Sequence, residues 1–230
     1  MKMTRRTLLQ SLGLAATLPL AGCGTYSWNE KITVIVQTPD GEKSGSSVTK
    51  FSGTYGYSLG AGEGLSVRLQ GEATVVELGH GKYLFALMER TGGSFAWGAV
   101  EDQLPPTGTE AKMAKLQSLV GQKIELQPKF YPMLVTFGNI NDPKSVKEVK
   151  PDDLAATFGS GTSLKSITLE ITDEPVTEGV VEKVLPWIGD PEVWDGRIWK
   201  ELPEGASRKL AGLFSDMRPA IERYKRSHNK

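Results

Sequence analysis

The sequence contains one cysteine, Cys23, at the end of the short stretch LPLAGC that begins at Leu18. A cysteine thiol is a soft nucleophile, which can be alkylated or can bind a metal ion once it is ionised. A single cysteine cannot form a disulfide within the chain, so the fold cannot be stabilised by an internal cross-link. The thiol is therefore the first group whose chemistry has to be explained.

The residues before Cys23 have the three parts of a secretory signal peptide. Residues 8–20 form an apolar run that is interrupted only by small or weakly polar residues, and small residues precede the cysteine. This run is too short for a transmembrane helix and has the wrong flanks. We predict that residues 1–22 are a signal peptide, whose basic start contains Lys2, Arg5 and Arg6.

The tetrapeptide Leu20-Ala21-Gly22-Cys23 resembles the lipobox of bacterial lipoproteins. The resemblance implies that the Cys23 thiol receives a diacylglycerol, that the peptide is cut before Cys23, and that the new amine is acylated. Because each buried CH₂ contributes ~0.8 kcal/mol, two or more acyl chains hold a protein firmly on a bilayer. The alternative is a buried or idle cysteine that happens to follow a signal peptide.

The basic start of the chain, Thr4-Arg5-Arg6-Thr7-Leu8-Leu9, resembles the twin-arginine export signal. It departs from the family pattern at Leu8, where Phe is commoner, and at Gln10, where Lys is commoner. The alternative is an ordinary basic segment that contains two adjacent arginines. The twin-arginine route carries folded proteins, so the resemblance implies that the domain folds before export.

The mature chain offers few groups for catalysis or metal binding. It has two histidines, His80 and His228, and its cysteine is expected to be lipidated. A serine triad needs a histidine base, but His80 lies between two glycines and is better interpreted as an exposed turn residue. We predict no catalytic residue, no metal site and no cofactor. A pair of carboxylates for glycoside hydrolysis remains open, because the spacing that matters there is spatial.

Tryptophan is concentrated in residues 185–200, LPWIGDPEVWDGRIWK, which contain Trp187, Trp194 and Trp199. These rings could stack on sugars or anchor a protein partner. Alternatively, they plug the open end of a β-sandwich and seat the C-terminal helix. The three tryptophans are the candidate binding residues of the sequence.

Composition and charge favour a globular domain that does not bind nucleic acid. Hydrophobic residues make up 39% and charged residues 23% of the chain. Without residues 1–22, the chain has 24 basic and 27 acidic residues, a net charge of −3. A mildly acidic domain gives no electrostatic reason to bind nucleic acid.

Short alternating segments predict many strands. Residues 31–37 alternate apolar side chains at Ile32, Val34 and Val36, and a turn at residues 39–41 leads to a Ser-rich return strand. The glycine-rich stretch 53–64 is predicted to be a mobile loop. Further strands are predicted within residues 65–69, 74–78, 82–88, 123–127, 133–137, 145–149 and 163–172.

Helices are predicted mainly late in the chain. Thr109 is expected to cap a helix that ends at Gly121, and a short helix is expected within residues 151–159. A C-terminal amphipathic helix, with a possible kink at Pro219, would place five apolar residues on one face: Leu210, Phe214, Met217, Ile221 and Tyr224.

These patterns predict a mainly β fold, an antiparallel sandwich or barrel-like structure with a few helices, with α+β as the alternative. We expect residues 23–30 to be a lipidated tether and residues 31–230 a single β-rich domain. The predicted protein is anchored in the bacterial cell envelope, faces the periplasm and acts as a binding module or a structural, interaction module, with an envelope protein or a glycan as its partner. Gly24, where Asp would favour inner-membrane retention, slightly favours the outer membrane. The alternative function is a carboxylate-dependent enzyme that acts on cell-wall glycan.

Overall fold

In the part of the chain that the structure describes, the alternating segments form nine strands, all paired in antiparallel fashion, in two sheets. The computed structural model describes residues 24–58, 62–88, 94–194, 201–215 and 218–228. The strands are β1 (Gly24–Thr38), β2 (Gly41–Ser58), β3 (Gly62–Gln70), β4 (Thr74–Gly79), β5 (Lys82–Ala86), β6 (Lys123–Glu125), β7 (Leu134–Phe137), β8 (Val146–Val149) and β9 (Ser163–Thr172). The mainly β prediction is confirmed.

The helices are short, and most of them follow the strands in the chain. They are α1 (Phe95–Ala99), α2 (Thr109–Gln117), α3 (Ala155–Phe158), α4 (Val180–Val184), α5 (Pro191–Trp194), α6 (Ala206–Ala211) and α7 (Arg218–His228). Single 3₁₀ turns occur at Glu101–Gln103, Pro128–Phe130, Pro143–Ser145 and Pro186–Gly189. In the part of the chain that the structure describes, no helix has the length and apolar character needed to cross a bilayer.

The first sheet has five strands in the order β3-β2-β1-β9-β6. Its centre is the long hairpin of β1 and β2, which closes through the predicted turn at Pro39 and Asp40. Gly41 follows with φ +105°, a conformation that L side chains rarely adopt, and it pairs with Thr38 at the end of the ladder. Register along this hairpin is continuous from Thr38 back to Gly24.

The second sheet has four strands in the order β4-β5-β7-β8, and its central strands, β5 and β7, bury side chains on both faces. Leu84 and Leu134 face the five-stranded sheet and pack against the alternating apolar residues of β1 and β9. Phe85 and Val135 face the other way, into a second core. The architecture is therefore three layers: the five-stranded sheet, the four-stranded sheet, and helices.

The second core consists of the outer face of the four-stranded sheet and the late helices. Leu185 and Ile188, from α4 and the turn after it, are fully buried there, as are Leu210 and Leu213 from α6 and its end. This layer is not predicted by the sequence patterns, which indicate late helices added to a two-layer sandwich.

The two sheets come closest where β2 meets β4. A Cβ atom built on Gly45 would lie 1.9 Å from the carbonyl oxygen of Val75, so only glycine fits at this position. Two residues further along β2, the hydroxyls of Ser47 and Thr74 are buried and lie 2.6 Å apart. The Ser-rich composition of the return strand thus allows the backbones to approach.

Three sequence-based predictions of local structure are wrong. Residues 24–30 are not a tether, because they pair with Tyr55 to Thr49 of β2 as the first half of β1. The glycine-rich stretch is not a loop at its described residues, which form the ends of β2 and β3 with Gly56 opposite Gly64. In both cases ladder pairing outweighs a local composition that disfavours strands.

The C-terminal helix is the third of these predictions, and it is divided in the structure. Helix α6 ends at Ala211 and α7 begins at Arg218. Between them Phe214 forms a β-bridge with Glu72, and the Leu213 carbonyl accepts the Ala73 amide at 3.0 Å. The helix is interrupted because these residues pair with the backbone just before β4. Met217 lies outside the described residues.

Helix α2 is confirmed, although Gly108, and not Thr109, is its N-cap.

We predict that Gly45→Ala destabilises the protein by about 1–3 kcal/mol, because the added methyl forces β2 and β4 apart. The measurement is the free energy of unfolding of purified protein in urea. The matched control is Gly64→Ala, since a Cβ atom at Gly64 would meet nothing within 4 Å. The control should change the free energy by less than about 0.5 kcal/mol. Equal effects of the two substitutions would contradict the close approach of the sheets.

Candidate binding site

A pocket of about 360 Å³ opens where the end of β3 meets the segment before α4 and the residues that follow α6. We call it the junction pocket. Its wall is made of residues 68–72, 177–178 and 214–215 together with Arg223. It therefore lies where the two sheets and the helical layer come together.

Backbone hydrogen bonds from three directions shape the junction pocket. Gly71, with φ +129°, turns the chain from β3 toward β4, and its carbonyl accepts the Ser215 amide at 3.4 Å. Thr177 is held against β2 because its amide donates to the Val48 carbonyl at 2.9 Å and its hydroxyl accepts the Val48 amide at 2.8 Å. The walls of the junction pocket are therefore fixed by hydrogen bonds of the fold itself.

Glu72 is a buried carboxylate that caps the first turn of α4. Its side chain accepts three backbone amides, from Gly179 at 3.1 Å, Val180 at 2.7 Å and Val181 at 3.3 Å. Burial raises the pKa of Glu72, while these hydrogen bonds act in the opposite direction. Both oxygens are engaged, so this group is a structural acceptor that joins the start of β4 to the helical layer.

Arg223 of α7 links the C-terminal helix to α4. Its guanidinium donates to both carboxylate oxygens of Glu182 and lies 3.6 Å from the Glu178 carboxylate. The hydrogen bond to Glu182 raises the pKa of Arg223, which is charged in any case. The bidentate geometry fixes the orientation of α7 at the edge of the pocket.

Arg68 is the positively charged residue of the pocket whose side chain stays available to a ligand. It is exposed on β3, opposite Ser52, and no hydrogen bond or ion pair joins its guanidinium to any residue within the described ranges. Beside it in the pocket wall are the half-buried side chains of Leu69 and Phe214. A pocket lined by a guanidinium and by apolar residues suits a ligand that carries a carboxylate or another anionic group together with an apolar one.

A second buried carboxylate, Glu30 of β1, serves the fold in a different place. It accepts the indole N–H of Trp28 at 2.7 Å, the Ser94 hydroxyl at 2.5 Å and the Phe95 amide at 3.0 Å. It is 2% exposed, and burial raises its pKa. Its oxygens point to the start of α1 within the core, so it is an internal cap like Glu72.

His80 occupies a smaller pocket, of about 250 Å³, at the turn between β4 and β5. Its ring nitrogen Nε2 lies 3.5 Å from the Asp40 carboxylate, and its side chain is 85% exposed. Ser160 and Thr162 line the same pocket, but no hydrogen bond joins either hydroxyl to His80 in the described part of the chain. The arrangement is that of an exposed turn histidine and not of a nucleophile with its base.

Of the three candidate tryptophans, only the side chain of Trp187 is described. It is 9% exposed, its ring packs edge-on against Phe137 at 5.7 Å, and its indole N–H donates to the Ile140 carbonyl at 2.7 Å. It therefore has the place of a core residue that seats the late helices on the four-stranded sheet. Trp194 ends α5, but its side chain and the whole of Trp199 lie outside the described residues.

The residues predicted for export and lipidation also lie outside the described residues, as they belong to residues 1–23. They are Arg5, Arg6, Leu20, Ala21, Gly22 and Cys23. Among the residues that the structure does describe, no three His, Cys, Asp or Glu side chains are grouped so as to hold a metal ion. The junction pocket was not predicted, because Glu72 and Gly179 are 107 residues apart and neither belongs to a motif.

We predict that Glu72→Gln lowers the free energy of unfolding by about 1–3 kcal/mol, because the new amide group turns N–H donors toward backbone N–H donors. The measurement is urea unfolding of the purified protein. Glu178→Gln is the matched control on the same pocket wall, where the carboxylate is exposed and makes one long ion pair. Its cost should stay below about 1 kcal/mol. A Glu72 variant as stable as the control would contradict the capping role.

Comparisons of this chain with protein-family models, with curated proteins and with solved structures found no match. In the junction pocket, the Glu72 carboxylate accepts backbone amide hydrogen bonds and the Arg223 guanidinium is held by ion pairs, while Arg68 faces solvent.

Proposed function

We propose that this chain is a lipid-anchored protein of the bacterial cell envelope that faces the periplasm and acts as a binding module. The observation that carries the proposal is the sequence LAGC at residues 20–23, at the end of a signal peptide and with the only cysteine of the chain. Residues 1–9 support export by the twin-arginine route. Gly24 at the position after the cysteine favours the outer membrane over the inner one.

The position of the first strand is consistent with this anchoring. β1 begins at Gly24, the residue after Cys23. Cleavage before Cys23 would leave the lipid-bearing residue one peptide bond from β1 of the central hairpin. Lipidation then needs no change in the domain, and the domain needs no linker to reach the membrane.

The binding part of the proposal rests on the junction pocket. Arg68 provides a positive charge that no described residue pairs with, in a pocket that Leu69 and Phe214 also line. A periplasmic domain is surrounded by cell wall, whose peptide stems carry carboxylates next to small apolar side chains. We therefore propose the carboxylate-bearing peptides of the cell wall as the ligand class.

The alternative, a carboxylate-dependent enzyme acting on cell-wall glycan, would need two carboxylates with free oxygens across a cleft. The junction pocket contains Glu72 and Glu178. Glu72 accepts three amides, so it offers no proton to a glycosidic oxygen without disrupting the cap of α4. The geometry of this pocket therefore supports binding better than hydrolysis.

We predict that Cys23→Ala moves the protein from the membrane to the soluble fraction and abolishes its labelling by palmitate, because the lipid attachment atom is lost. The measurement is fractionation of cells grown with labelled palmitate. Ser11→Ala, within the apolar run of the signal peptide, is the control and should leave both properties unchanged. A wild-type protein that takes up no label, together with a Cys23→Ala variant that stays in the membrane, would overturn the anchoring proposal.

We predict that Arg68→Ala weakens binding of soluble peptidoglycan fragments about ten-fold or more, because a charge-assisted hydrogen bond contributes about 1.5–3 kcal/mol. Isothermal titration calorimetry of the purified protein measures this change. Arg208→Ala, an exposed arginine of α6, is the control of equal charge and should leave the affinity unchanged. Equal affinities of the two variants, or no binding by the wild type, would contradict the proposed ligand.

A further inference from the structure

One end of the five-stranded sheet presents apolar side chains to solvent. On β3, Leu65, Val67 and Leu69 share the face that continues into the core. Leu69 packs against the core, but Leu65 is 38% exposed and Val67 is 41% exposed. The row of apolar side chains on this face of β3 therefore continues beyond the buried core, at Val67 and Leu65.

The register of the sheet places two tyrosines beside these residues. Tyr55 of β2 is opposite Leu65 on one side and Gly24 of β1 on the other, and Tyr26 is opposite Gly53. Both tyrosines are half-buried. We call this surface, made of residues 24–26, 53–55 and 65–67, the sheet end.

Helix α2 partly covers the sheet end. The sulfur of Met113 would lie 3.0 Å from a Cβ atom on Gly53, and a carboxylate oxygen of Glu110 would lie 3.1 Å from one on Gly24. The four-stranded sheet, which covers the rest of this face, does not reach Leu65 and Val67. Apolar strand residues are thus exposed where no described part of the protein covers them.

Covalent geometry places the lipid attachment residue next to the sheet end. The Cα atom of Cys23 is about 3.8 Å from that of Gly24 across one trans peptide. Neighbouring strands are about 4.8 Å apart, so Leu65, two strands from Gly24 at the same level of the sheet, is about 10 Å away in the sheet plane. The headgroup layer on each side of a bilayer is about 5–8 Å thick.

We propose that the sheet end rests on the phospholipid bilayer, with Leu65 and Val67 in contact with the interface and Tyr26 and Tyr55 at headgroup level. This proposal depends on the proposed anchoring at Cys23. Tyrosine suits this place because its ring is apolar and its hydroxyl is polar. The contact is apolar and not electrostatic, since the domain has a net charge of −3 and Glu110 lies beside Gly24.

This orientation also sets the height of the junction pocket. Arg68 lies three residues along β3 from Leu65, or about 10 Å at the rise of a strand. The pocket would then open close above the membrane surface.

The test uses the full-length lipoprotein, reconstituted into phosphatidylcholine vesicles with or without bromine on the acyl chains. Lipidation blocks the thiol of Cys23, so Leu65→Cys introduces the one thiol that reacts with the fluorophore NBD. The matched control is Ser44→Cys, an exposed residue of β2 at the other end of the sheet, opposite Ile35. Flotation of the vesicles reports anchoring separately.

We expect NBD at position 65 to be shifted to the blue and to lose most of its emission in brominated vesicles, while NBD at position 44 is unchanged. Protein that floats with the vesicles but shows no quenching at position 65 would overturn the membrane contact and leave the anchoring intact. If the floating protein shows no bromine quenching at position 65 and NBD there is also shielded from aqueous iodide, a protein surface covers the sheet end instead of the bilayer. Protein that does not float would overturn the anchoring itself.

Discussion

The central strands of the four-stranded sheet, β5 and β7, bury apolar residues on both faces, and the rest of the structure depends on covering both of these faces. Leu84 and Leu134 require the five-stranded sheet on one side, and Phe85 and Val135 require the late helices on the other. The layer of late helices is held in place by buried or partly buried charged side chains. Glu72 holds the start of α4, and Arg223 holds α7 to α4. The junction pocket is the space left where these three layers meet.

The five-stranded sheet also connects the junction pocket to the first described residue, Gly24. The central hairpin begins at Gly24 and carries β3 on its outer edge, and β3 leads directly into the pocket wall at residues 68–72. In the proposed envelope protein, one hairpin therefore connects the lipid anchor to the binding site. Because no tether separates them, the pocket would have a fixed height above the membrane, which suits a ligand class that is itself fixed in the envelope. The glycines of this hairpin do not prevent its formation, since its register is continuous on both sides of β2.

Strict alternation in the sequence was sufficient to predict β9 and the second half of β1, residues 31–37, because each has one face in the core. The continuous apolar runs around β5 and β7 contained the evidence for burial on both faces, but such runs do not say what covers them. Local composition misled where pairing decides the structure, as at the glycine-rich end of β2. The C-terminal helix could not be divided correctly from sequence, since its interruption depends on a bridge between Phe214 and Glu72. Trp187 illustrates the same limit: its segment suggested a binding surface, whereas its described contacts are those of a core side chain.

The central claim is that Cys23 is the lipid-bearing first residue of the mature protein, placed directly before the fold. Intact-mass and fragmentation mass spectrometry of the protein purified from membranes tests it most directly. The account predicts a chain that begins at Cys23 and carries the mass of a diacylglycerol on the thiol, with or without a further acyl chain on the amine. A chain that retains residues 1–22, or one that begins at Cys23 with an unmodified thiol, would contradict it.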